Sequence, residues 1–517
     1  MQNIKAIIKF MPKHEKTVIL FDFFINYVYN ISVNKNGIGY QKYFVSDTTK
    51  IKRLGCVIMY HINFDKPVHI HFIGIGGISM SGLAEVLLNR GFTVTGSDMR
   101  PSAITKHLEN QNVRIFYPQS AANIQDGIDV VVYTAAIHPD NPEFAECVRR
   151  QLPMMDRAEL LGQIMKNYKN SIAISGTHGK TTTTSMLSHV FLAAEEDPTI
   201  SVGGILKAIH GNIRIGHSQN FITEACEYTN SFLKFHPRIE LILNIEEDHM
   251  DFFKDIDDIR HSFKKFANLL PDDGLLVING EIPNLHYIIS DLSCQVITYS
   301  LKGDADYTAT NIVMSDKATP SFDLVYHGEV IDHIQLSVPG MHNVSNALAT
   351  IATCRALHIP MEAIKEGLQA FEGTDRRFEY KGEVAGITVI DDYAHHPTEI
   401  KATLTAAKNY PHKTLWCVFQ PHTYSRTKAF LNDFADALSL ADKVVLADIY
   451  AAREKDPGDV HATDIQKLIN EKGGEAYYFP SFDEIENFLL EKCIHGDLVI
   501  TMGAGDIVLV GEHLLGK

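Results

Sequence analysis

The chain has 517 residues, which is too long for one hydrophobic core and predicts about three domains. Hydrophobic residues make up 45% of it and charged residues 21%, as in an ordinary globular protein, and a net charge of −16 argues against a nucleic-acid-binding surface. Its seven cysteines are scattered and never form C-x-x-C, so we expect no disulfide scaffold and no zinc site, and a cytoplasmic location.

The first 58 residues differ from the rest in charge, since they carry +6 while the remainder carries −22. Their apolar stretch at 17–29 is interrupted by Asp22 and Asn26, which makes it too short and too polar to span a bilayer. We interpret residues 1–58 as a dispensable tail, or as an extension absent from a native protein that starts at Met59. An intact mass of the native protein that includes this segment would contradict that hypothesis.

A glycine-rich turn follows the first apolar strand after this segment. The turn leads into an apolar-periodic helix and then into a second strand with an acidic end, at the spacing of a Rossmann-type half. Ser79 stands where the third glycine of the dinucleotide fingerprint is expected, so an NAD site and a plain doubly wound domain both stay open. The candidate binding residues here are Gly74, Gly76, Gly77, Ser97 and Asp98.

The most specific motif lies between an apolar strand at 171–175 and a helix-compatible segment. In a strand–loop–helix of this kind the backbone N–H groups and the helix N-terminus bind phosphate. Lys180 can then reach the β- and γ-phosphate oxygens, and Thr181 can hold Mg²⁺. The sequence therefore predicts ATP binding by the loop residues Gly176, Thr177, His178, Gly179, Lys180, Thr181 and Thr182.

Two further strands carry charge near their carboxyl ends, which is the edge where ligands bind in an open parallel sheet. The first ends at Glu224, and the second leads to His249. Because both strands lie beside the phosphate loop, we expect Glu224 and His249 to bind Mg²⁺ together with Thr181. The stretch 303–334 then alternates in polarity and predicts short antiparallel strands.

A Pro-Gly turn opens the next predicted helix, on which Asn343 and Asn346 lie one turn apart. Both amides fit the edge of a base, and for Asn346 helix capping and core polar contacts stay open as an alternative. A basic segment with Arg376 and Arg377 follows, and we place the last domain boundary there.

The final segment alternates strands and helices, which predicts a second Rossmann-like domain. Polar clusters repeatedly follow its strands, so their side chains are expected to meet at one sheet edge and line a ligand pocket. The candidates are Asp392, His395, His422 and Arg426.

In order and spacing, these motifs resemble those of the Mur ligase family from about Met59 to the end of the chain. The resemblance implies an α/β protein of three domains: a Rossmann-like UDP-sugar domain at 59–167, a central P-loop ATPase at 168–374 with a parallel and a small antiparallel sheet, and a Rossmann-like amino-acid domain at 375–517. The matching motifs are Gly74-Ile-Gly-Gly-Ile-Ser-Met-Ser-Gly82, Gly176-Thr-His-Gly-Lys-Thr-Thr182, Asp248-His249-Met-Asp251, Arg376-Arg377-Phe378, Asp391-Asp-Tyr-Ala-His-His-Pro397 and Gln420-Pro-His-Thr-Tyr-Ser-Arg426.

The resemblance also implies an activity. ATP would phosphorylate the lactyl carboxylate of UDP-N-acetylmuramate, and the amine of L-alanine would attack the acyl phosphate to give an amide, ADP and phosphate. This chemistry belongs to cytoplasmic peptidoglycan precursor synthesis, and the enzyme is expected to be a monomer or homodimer without nucleic-acid or membrane partners.

The family's ATP-binding residues carry over to matching positions. Lys180 would contact the transferring phosphoryl group, Thr181 and Glu224 would hold one Mg²⁺, and His249 would hold a second. Asn343 would meet adenine. From the third domain, Arg377 and Asp392 would reach ATP and couple domain closure to chemistry.

The substrate-binding residues carry over in the same way. His395, His422 and Arg426 would line the amino-acid site, with Arg426 pairing the alanine carboxylate and His395 close to the reaction. The loop at 74–77 would accept the UDP pyrophosphate, with Ser97 and Asp98 near the nucleoside.

Two departures from the family pattern matter. The acidic motif reads Glu224-Ala-Cys-Glu, whereas many relatives are more acidic after the first glutamate. Thr423 stands where some relatives have an arginine. The choice of amino-acid substrate between L-alanine and glycine or serine therefore stays open.

Three other functions remain alternatives. Within the family, a recycling ligase attaches a whole tripeptide to UDP-N-acetylmuramate. An NAD(P)-dependent oxidoreductase could use the glycine turn at 74–77, although it leaves the phosphate loop unexplained. A non-catalytic nucleotide-binding regulator would tolerate the loss of Glu224 or His249.

Overall fold

The computed structural model describes residues 60–134, 136–452 and 454–517, together with three strands at 17–22, 27–34 and 37–44. These residues belong to two compact units, Met1–His61 and Ile62–Lys517. The proposed start at Met59 concerns a residue outside the described ones. No helix within the described ranges combines the length and apolarity needed to cross a membrane.

The first unit contains an antiparallel sheet of three strands in the order β1-β2-β3. The strands are β1 (Thr17–Asp22), β2 (Tyr27–Asn34) and β3 (Gly37–Phe44).

The second unit begins with a parallel sheet of five strands in the order β6-β5-β4-β7-β8. Its strands are β4 (His69–Ile73), β5 (Thr93–Ser97), β6 (Arg114–Phe116), β7 (Val130–Tyr133) and β8 (Met154–Asp156). The accompanying helices, numbered from here, are α1 (Ile78–Asn89), α2 (Ala103–Asn110), α3 (Pro142–Arg150) and α4 (Arg157–Met165).

Local sequence explains where these helices begin. Ser102 and Asp156 each accept a hydrogen bond from a backbone N–H in the first turn of α2 and α4, and both belong to capping boxes. Asn141 caps α3, whose first residue is Pro142. Because β4 lies at the centre of the sheet, the glycine turn after it opens at the carboxyl edge, where ligands bind.

The central sheet has ten strands in the order β11-β10-β12-β9-β13-β14-β15-β16-β17-β18. They are β9 (Asn170–Ser175), β10 (Thr199–Leu206), β11 (Gly211–Arg214), β12 (Asn220–Glu224), β13 (Ile239–Ile242), β14 (Leu275–Asn279), β15 (Gln295–Ser300), β16 (Tyr307–Met314), β17 (Pro320–Tyr326) and β18 (Glu329–Gln335). The helices of this segment are α5 (Lys180–Ala193), α6 (Ile256–Ala267), α7 (Leu285–Ile289), α8 (Met341–Ala356) and α9 (Met361–Ala370).

From β10 through β12, β9, β13, β14 and β15 to β16, neighbouring strands of the sheet pair in parallel. Strand β17 pairs antiparallel with both β16 and β18. The predicted antiparallel strands therefore form, and the short parallel pairing of β15 with β16 makes them continuous with the parallel part. The apolar sides of α5, α8 and α9 cover one face of the sheet in a single buried cluster. This packing fixes the start of α5, and with it the phosphate loop.

The last sheet has six strands in the order β19-β20-β24-β21-β22-β23, of which only the edge strand β19 pairs antiparallel. They are β19 (Glu379–Val384), β20 (Ile387–Asp392), β21 (Leu415–Phe419), β22 (Lys443–Leu446), β23 (Ala476–Tyr478) and β24 (Leu498–Met502). Its helices are α10 (Pro397–Ala407), α11 (Tyr424–Ala429), α12 (Leu431–Leu438), α13 (Ala462–Glu471), α14 (Phe482–Lys492) and α15 (Val508–Leu514). The predicted α/β class with successive parallel sheets is confirmed.

Candidate nucleotide and ligation site

The phosphate loop connects β9 to α5 at the centre of the ten-stranded sheet. Gly176 has φ 141° and Gly179 φ 83°, both in the region that favours glycine. A Cβ atom on Gly179 would lie 2.8 Å from Oδ1 of Asn346, so this position also needs glycine for space. No side chain caps the N-terminus of α5, which leaves its first N–H groups for an anion.

Asn244, just after β13, holds the loop in shape. Its Oδ1 accepts from the backbone N–H of His178 at 2.8 Å, and its Nδ2 donates to the carbonyl of His178 at 3.0 Å. The backbone N–H of Thr177 also donates to the carbonyl of Asn244 at 3.2 Å. The sequence motifs did not identify Asn244. The signal that could have found it is an amide side chain just after a strand that neighbours the phosphate loop.

Lys180 is held at the start of α5 by the loop and by Glu227. Its Nζ donates to the carbonyls of Gly176 and Thr177, and it lies 3.1 Å from Oε2 of Glu227, which is 2% exposed. Burial disfavours the charged ammonium, but the carboxylate of Glu227 outweighs it and raises the pKa of Lys180. Motif reading also missed Glu227, although it lies only three residues after Glu224.

Thr181 and Glu224, two of the three predicted metal ligands, are in contact. The hydroxyl of Thr181 donates to Oε2 of Glu224 at 3.1 Å, while Oε1 accepts from the backbone N–H of Gly203 at 2.6 Å. A hydroxyl beside a carboxylate is the hard oxygen donor set that Mg²⁺ prefers, so these residues fit the ion.

His249, the third predicted ligand, lies in the loop after β13 with φ 55°. Its Nε2 is 3.9 Å from Glu227 and 3.8 Å from Asp248, and its ring lies 4.6 Å from that of Tyr228, tilted by 31°. Burial lowers the pKa of His249 against the pull of both carboxylates, which favours the neutral imidazole that metals bind.

A cavity of about 350 Å³ opens beside the phosphate loop, between the central and the last sheet. The predicted cofactor-binding residues on its wall are His178, Gly179, Thr182, Asn343, Arg377 and Asp392. The cavity thus brings together residues that are more than 200 positions apart in the sequence.

The two asparagines of α8 make local hydrogen bonds at the wall of this cavity. Asn343 donates to the carbonyl of Pro339 at 2.7 Å and accepts from Asn346 at 3.1 Å. The N-cap of α8 is Gly340, without a side-chain cap, so neither amide caps this helix, and contact with the base edge stays a prediction.

The two neighbouring arginines have different surroundings. Arg376 donates to Asp391 at 2.9 Å and to the carbonyls of Gly503 and Gly505, which ties it into the last sheet. Both guanidinium groups lie over the ring of Tyr393, that of Arg376 at 5.0 Å and that of Arg377 at 5.4 Å, but only Arg377 lines the cavity.

Asp392 accepts hydrogen bonds from two backbone N–H groups, those of Phe378 at 2.8 Å and Ala394 at 2.7 Å. Burial raises the pKa of Asp392 to about 6, against the opposing effect of Arg377. These bonds fix the carboxyl group at the end of β20, on the edge that faces the phosphate loop.

The predicted amino-acid residues also lie together. The rings of His395 and His422 are 5.8 Å apart, and Arg426 donates to Nδ1 of His422 at 3.1 Å. Burial lowers the pKa of His395 to about 4. Arg426 is also paired with Asp248 of the central segment at 2.9 Å, which sequence reasoning did not predict.

A second unpredicted cluster joins the phosphate loop to α10. His178 lies 3.2 Å from Glu399 and 3.5 Å from Glu246, and its ring is 4.8 Å from that of His396. Burial disfavours the charged form of His178, but the two carboxylates outweigh it and raise its pKa to about 9.

His178, Glu246 and His396 place possible metal-ligand atoms within 4.8 Å of one another. Hydrogen bonds already occupy both ring nitrogens of His396, since Nε2 donates to the carbonyl of Glu247 at 3.0 Å and Nδ1 accepts from Thr398 at 3.3 Å. We therefore interpret this cluster as a hydrogen-bonded bridge between the two segments.

A second cavity, of about 680 Å³, lies at the carboxyl edge of the first sheet. Gly74, Gly76, Gly77 and Asp98 line it, and Asp98 accepts from the backbone N–H of Gly76 at 2.8 Å. Ser97 does not line it, because its hydroxyl is fully buried and donates to Glu143.

Three family models match the chain in order. Residues 69–169 match a model described as Mur ligase family, catalytic domain, residues 174–354 match the Mur ligase middle domain, and residues 376–505 match the Mur ligase glutamate ligase domain.

Full-length relatives and solved structures agree with these matches. The UDP-N-acetylmuramate–L-alanine ligase of Agathobacter rectalis is 61% identical over 89% of this chain and 100% of the relative, and that of Lachnoclostridium phytofermentans is 58% identical over the same shares. The crystal structure of the UDP-N-acetylmuramate–alanine ligase of Thermotoga maritima has a TM-score of 0.72 at 31% identity, covering 87% of this chain and 98% of that one. A murein peptide ligase structure from Psychrobacter arcticus has a TM-score of 0.62 at 24% identity, a likeness of fold alone. The chain therefore belongs to the Mur ligase family.

Proposed function

We propose that the chain joins L-alanine to the lactyl carboxylate of UDP-N-acetylmuramate with ATP, giving UDP-N-acetylmuramoyl-L-alanine, ADP and phosphate. The observation that carries this function is the 61% identity to a UDP-N-acetylmuramate–L-alanine ligase over the whole length of that relative. The chain is an ATP-dependent, amide-forming ligase of peptidoglycan precursor synthesis.

The chemistry begins with a carboxylate, which is a poor electrophile at neutral pH. An oxygen of the lactyl carboxylate bonds to the γ-phosphorus of ATP as the bond to the bridging oxygen breaks and ADP leaves. The amine of L-alanine then attacks the acyl carbon, phosphate leaves with its oxygen, and the nitrogen loses a proton. Both steps require chiefly positioning and charge neutralisation.

The phosphate loop at 176–182 is proposed to position the triphosphate of ATP. Its glycine conformations and the uncapped N-terminus of α5 support a triphosphate site. Lys180, held charged by Glu227, would neutralise the transferring phosphoryl group. Phosphate oxygens would share this ammonium with Glu227 when ATP is bound.

Magnesium would neutralise phosphate charge when it is bound. The contact between Thr181 and Glu224 supports these two residues as ligands of one ion. His249 stands as the candidate for a second ion, supported by its neutral imidazole beside Glu227 and Asp248.

The rest of the nucleotide would fill the cavity beside the loop. Asn343 and Asn346 are suited to the base edge, because their amides lie on its wall. Arg377 would reach the phosphates from the last segment. Asp392 would act through the backbone that it fixes around Arg377.

The amino-acid pocket is proposed at His395, His422 and Arg426. Because Arg426 pairs with Asp248 here, L-alanine would have to share or replace that pairing for its carboxylate to be bound. The neutral ring of His395 could accept a proton from the attacking amine.

The UDP end of the substrate is proposed for the cavity of the first sheet. The turn at 74–77 would bind the pyrophosphate through its N–H groups, and Asp98 would lie near the nucleoside. Ser97 would act indirectly, because its hydroxyl is committed to Glu143.

Further predictions remain proposals about the whole protein. We propose domain boundaries at 167/168 and 374/375, which is supported by the three separate sheets of the second unit. Cytoplasmic location is supported by six free cysteines among the described residues. A monomer or homodimer, without nucleic-acid or membrane partners, stays our expectation.

Product analysis by mass spectrometry tests the function. Purified protein is incubated with ATP, Mg²⁺ and UDP-N-acetylmuramate, and with L-alanine, glycine, L-serine or the murein tripeptide in turn. We expect the L-alanyl amide to form fastest. Product with the tripeptide alone would identify a recycling ligase, and no product with any acceptor would refute ligation.

A further inference from the structure

Glu399 lies in the first turn of α10. It is part of none of the sequence motifs, and no role has been assigned to it. Its side chain is only 12% exposed, although it is a carboxylate on the wall of the nucleotide cavity. A buried carboxylate must be compensated by charges or donors, so its partners indicate its purpose.

The first partner belongs to the phosphate loop. Nδ1 of His178 lies 3.2 Å from Oε1 of Glu399, and the backbone of His178 is fixed on both sides by Asn244. Glu399 therefore contacts the loop at a residue that has little freedom to move.

The other partners belong to the last segment. The guanidinium of Arg377 lies 3.6 Å from Oε1 of Glu399. On the other oxygen, Oε2 accepts from the backbone N–H of His395 at 3.1 Å and lies 3.4 Å from its Nδ1. One carboxylate thus touches three residues for which we propose roles in ATP or amino-acid binding.

The charges fit this arrangement. Burial alone would raise the pKa of Glu399, but His395, His178 and Arg377 hold it well below its usual range, so the group is an anion. An anion that faced the triphosphate would repel it, whereas here the carboxylate lies beside the cationic side chains of His178 and Arg377 and the backbone N–H of His395. Glu399 is therefore suited to arranging its neighbours and not to contacting ATP.

We propose that Glu399 is a positioning residue of the ligation reaction. It holds His178 of the phosphate loop, Arg377 and His395 at fixed separations, so that the central and last segments present their groups to the same nucleotide. This inference rests on the proposed function.

The test compares wild-type enzyme with Glu399→Gln, which keeps shape and removes charge. We expect kcat/KM for ATP to fall about 10- to 100-fold, because misplacing reacting groups by about 1 Å has that effect. UDP-N-acetylmuramate binding without ATP, measured by calorimetry, should stay within about twofold of wild type, since its cavity lies on another sheet.

Glu362→Gln is the matched control. Glu362 is also an acidic residue in the first turn of a helix, α9, but it is exposed. This variant shows what loss of a charge in the first turn of a helix does by itself. We expect its kcat/KM for ATP to stay close to that of wild type.

A double-mutant cycle with Arg377→Lys gives the second readout. If Glu399 acts by placing Arg377, the double variant should be hardly slower than the slower single variant. Independent multiplication of the two losses would overturn the inference. Should Glu399→Gln fail to fold, Glu399→Asp replaces it in the cycle, because it retains the charge but shortens the reach.

The outcomes separate the two proposals. If wild-type protein forms no amide, the proposed function fails. If wild type is active and Glu399→Gln matches it within about twofold, or loses ATP and UDP-sugar binding equally, the positioning role alone is refuted.

Discussion

Lys180 has its charge satisfied before any nucleotide arrives, because Glu227 and two loop carbonyls surround its ammonium group. We predict that Lys180→Ala lowers kcat by about 10³-fold, as loss of a group that stabilises transition-state charge does. UDP-N-acetylmuramate binding by calorimetry should be unchanged. Lys169→Ala, at an exposed lysine before β9, is the control, and substantial activity of Lys180→Ala would remove this residue from catalysis.

His249 combines a neutral imidazole with two nearby carboxylates, a set that suits a metal ion. We predict that His249→Ala raises the Mg²⁺ concentration for half-maximal rate by at least about tenfold, with partial recovery at high Mg²⁺. The measurement is a Mg²⁺ titration of the initial rate. His261→Ala, whose ring instead contacts Tyr287, should titrate like wild type. An unchanged Mg²⁺ dependence in His249→Ala would count against the second metal.

The start of α5 shows how one backbone conformation supports an element. Gly179 and Gly473 have nearly the same φ, 83° and 84°, but only at Gly179 would a Cβ meet other atoms within 4 Å, the nearest being Oδ1 of Asn346 at 2.8 Å and Cδ1 of Leu243 at 3.3 Å. We predict that both Gly→Ala variants lose about 1 kcal/mol from strained backbone. Only Gly179→Ala should in addition raise the KM for ATP, since the loop must move away from Asn346.

Thermal melting and ATP kinetics of the two variants provide the measurement. Equal kinetics for Gly179→Ala and Gly473→Ala would show that the phosphate loop tolerates a side chain at this position. It would also contradict the close packing of the loop on α8.

At the level of elements, the sequence was sufficient for the main parallel strands and for the antiparallel strands at 303–334, because apolar runs and alternating polarity are local signals. The short edge strands β6, β11 and β19 were not predicted. The α/β class is confirmed, and so is the family, which the order and spacing of the motifs indicated by resemblance. The full set of site residues could not be predicted in this way. Glu227, Asn244 and Glu399 are recognised only through their partners on other strands or segments. Arg426 illustrates this, since no local pattern reveals its pairing with Asp248.

For the whole molecule, one contact between the central and last segments, the pairing of His178 with Glu399, depends on charge at His178. Its pKa of about 9 lies above the ordinary value of 6.5, so the charged ring stabilises the fold fully below pH 6.5. That contribution is lost as the pH rises toward 9, and by linkage it amounts to about 3 kcal/mol.

We predict that wild type melts at a higher temperature than His178→Gln at pH 6, and that this difference shrinks between pH 6.5 and 9. The physical reason is loss of the charge that faces Glu246 and Glu399. Melting curves of both proteins over this range provide the measurement. A difference that is constant with pH would mean that folding leaves the pKa of His178 unchanged, and a difference that grows with pH would mean that the folded protein holds the ring neutral.

Across the molecule, the proposed function requires two cavities on different sheets to serve one substrate, with the UDP end at the first sheet and the lactyl carboxylate at the phosphate loop. Oxygen labelling tests this most directly. UDP-N-acetylmuramate carrying ¹⁸O in its lactyl carboxylate is turned over with ATP, Mg²⁺ and L-alanine, and the released phosphate is analysed by mass spectrometry. Activation of the carboxylate by ATP predicts that each phosphate released during amide formation carries one oxygen from the labelled carboxylate. Unlabelled phosphate would show that ATP is cleaved without activating the carboxylate, and would contradict the proposed ligation.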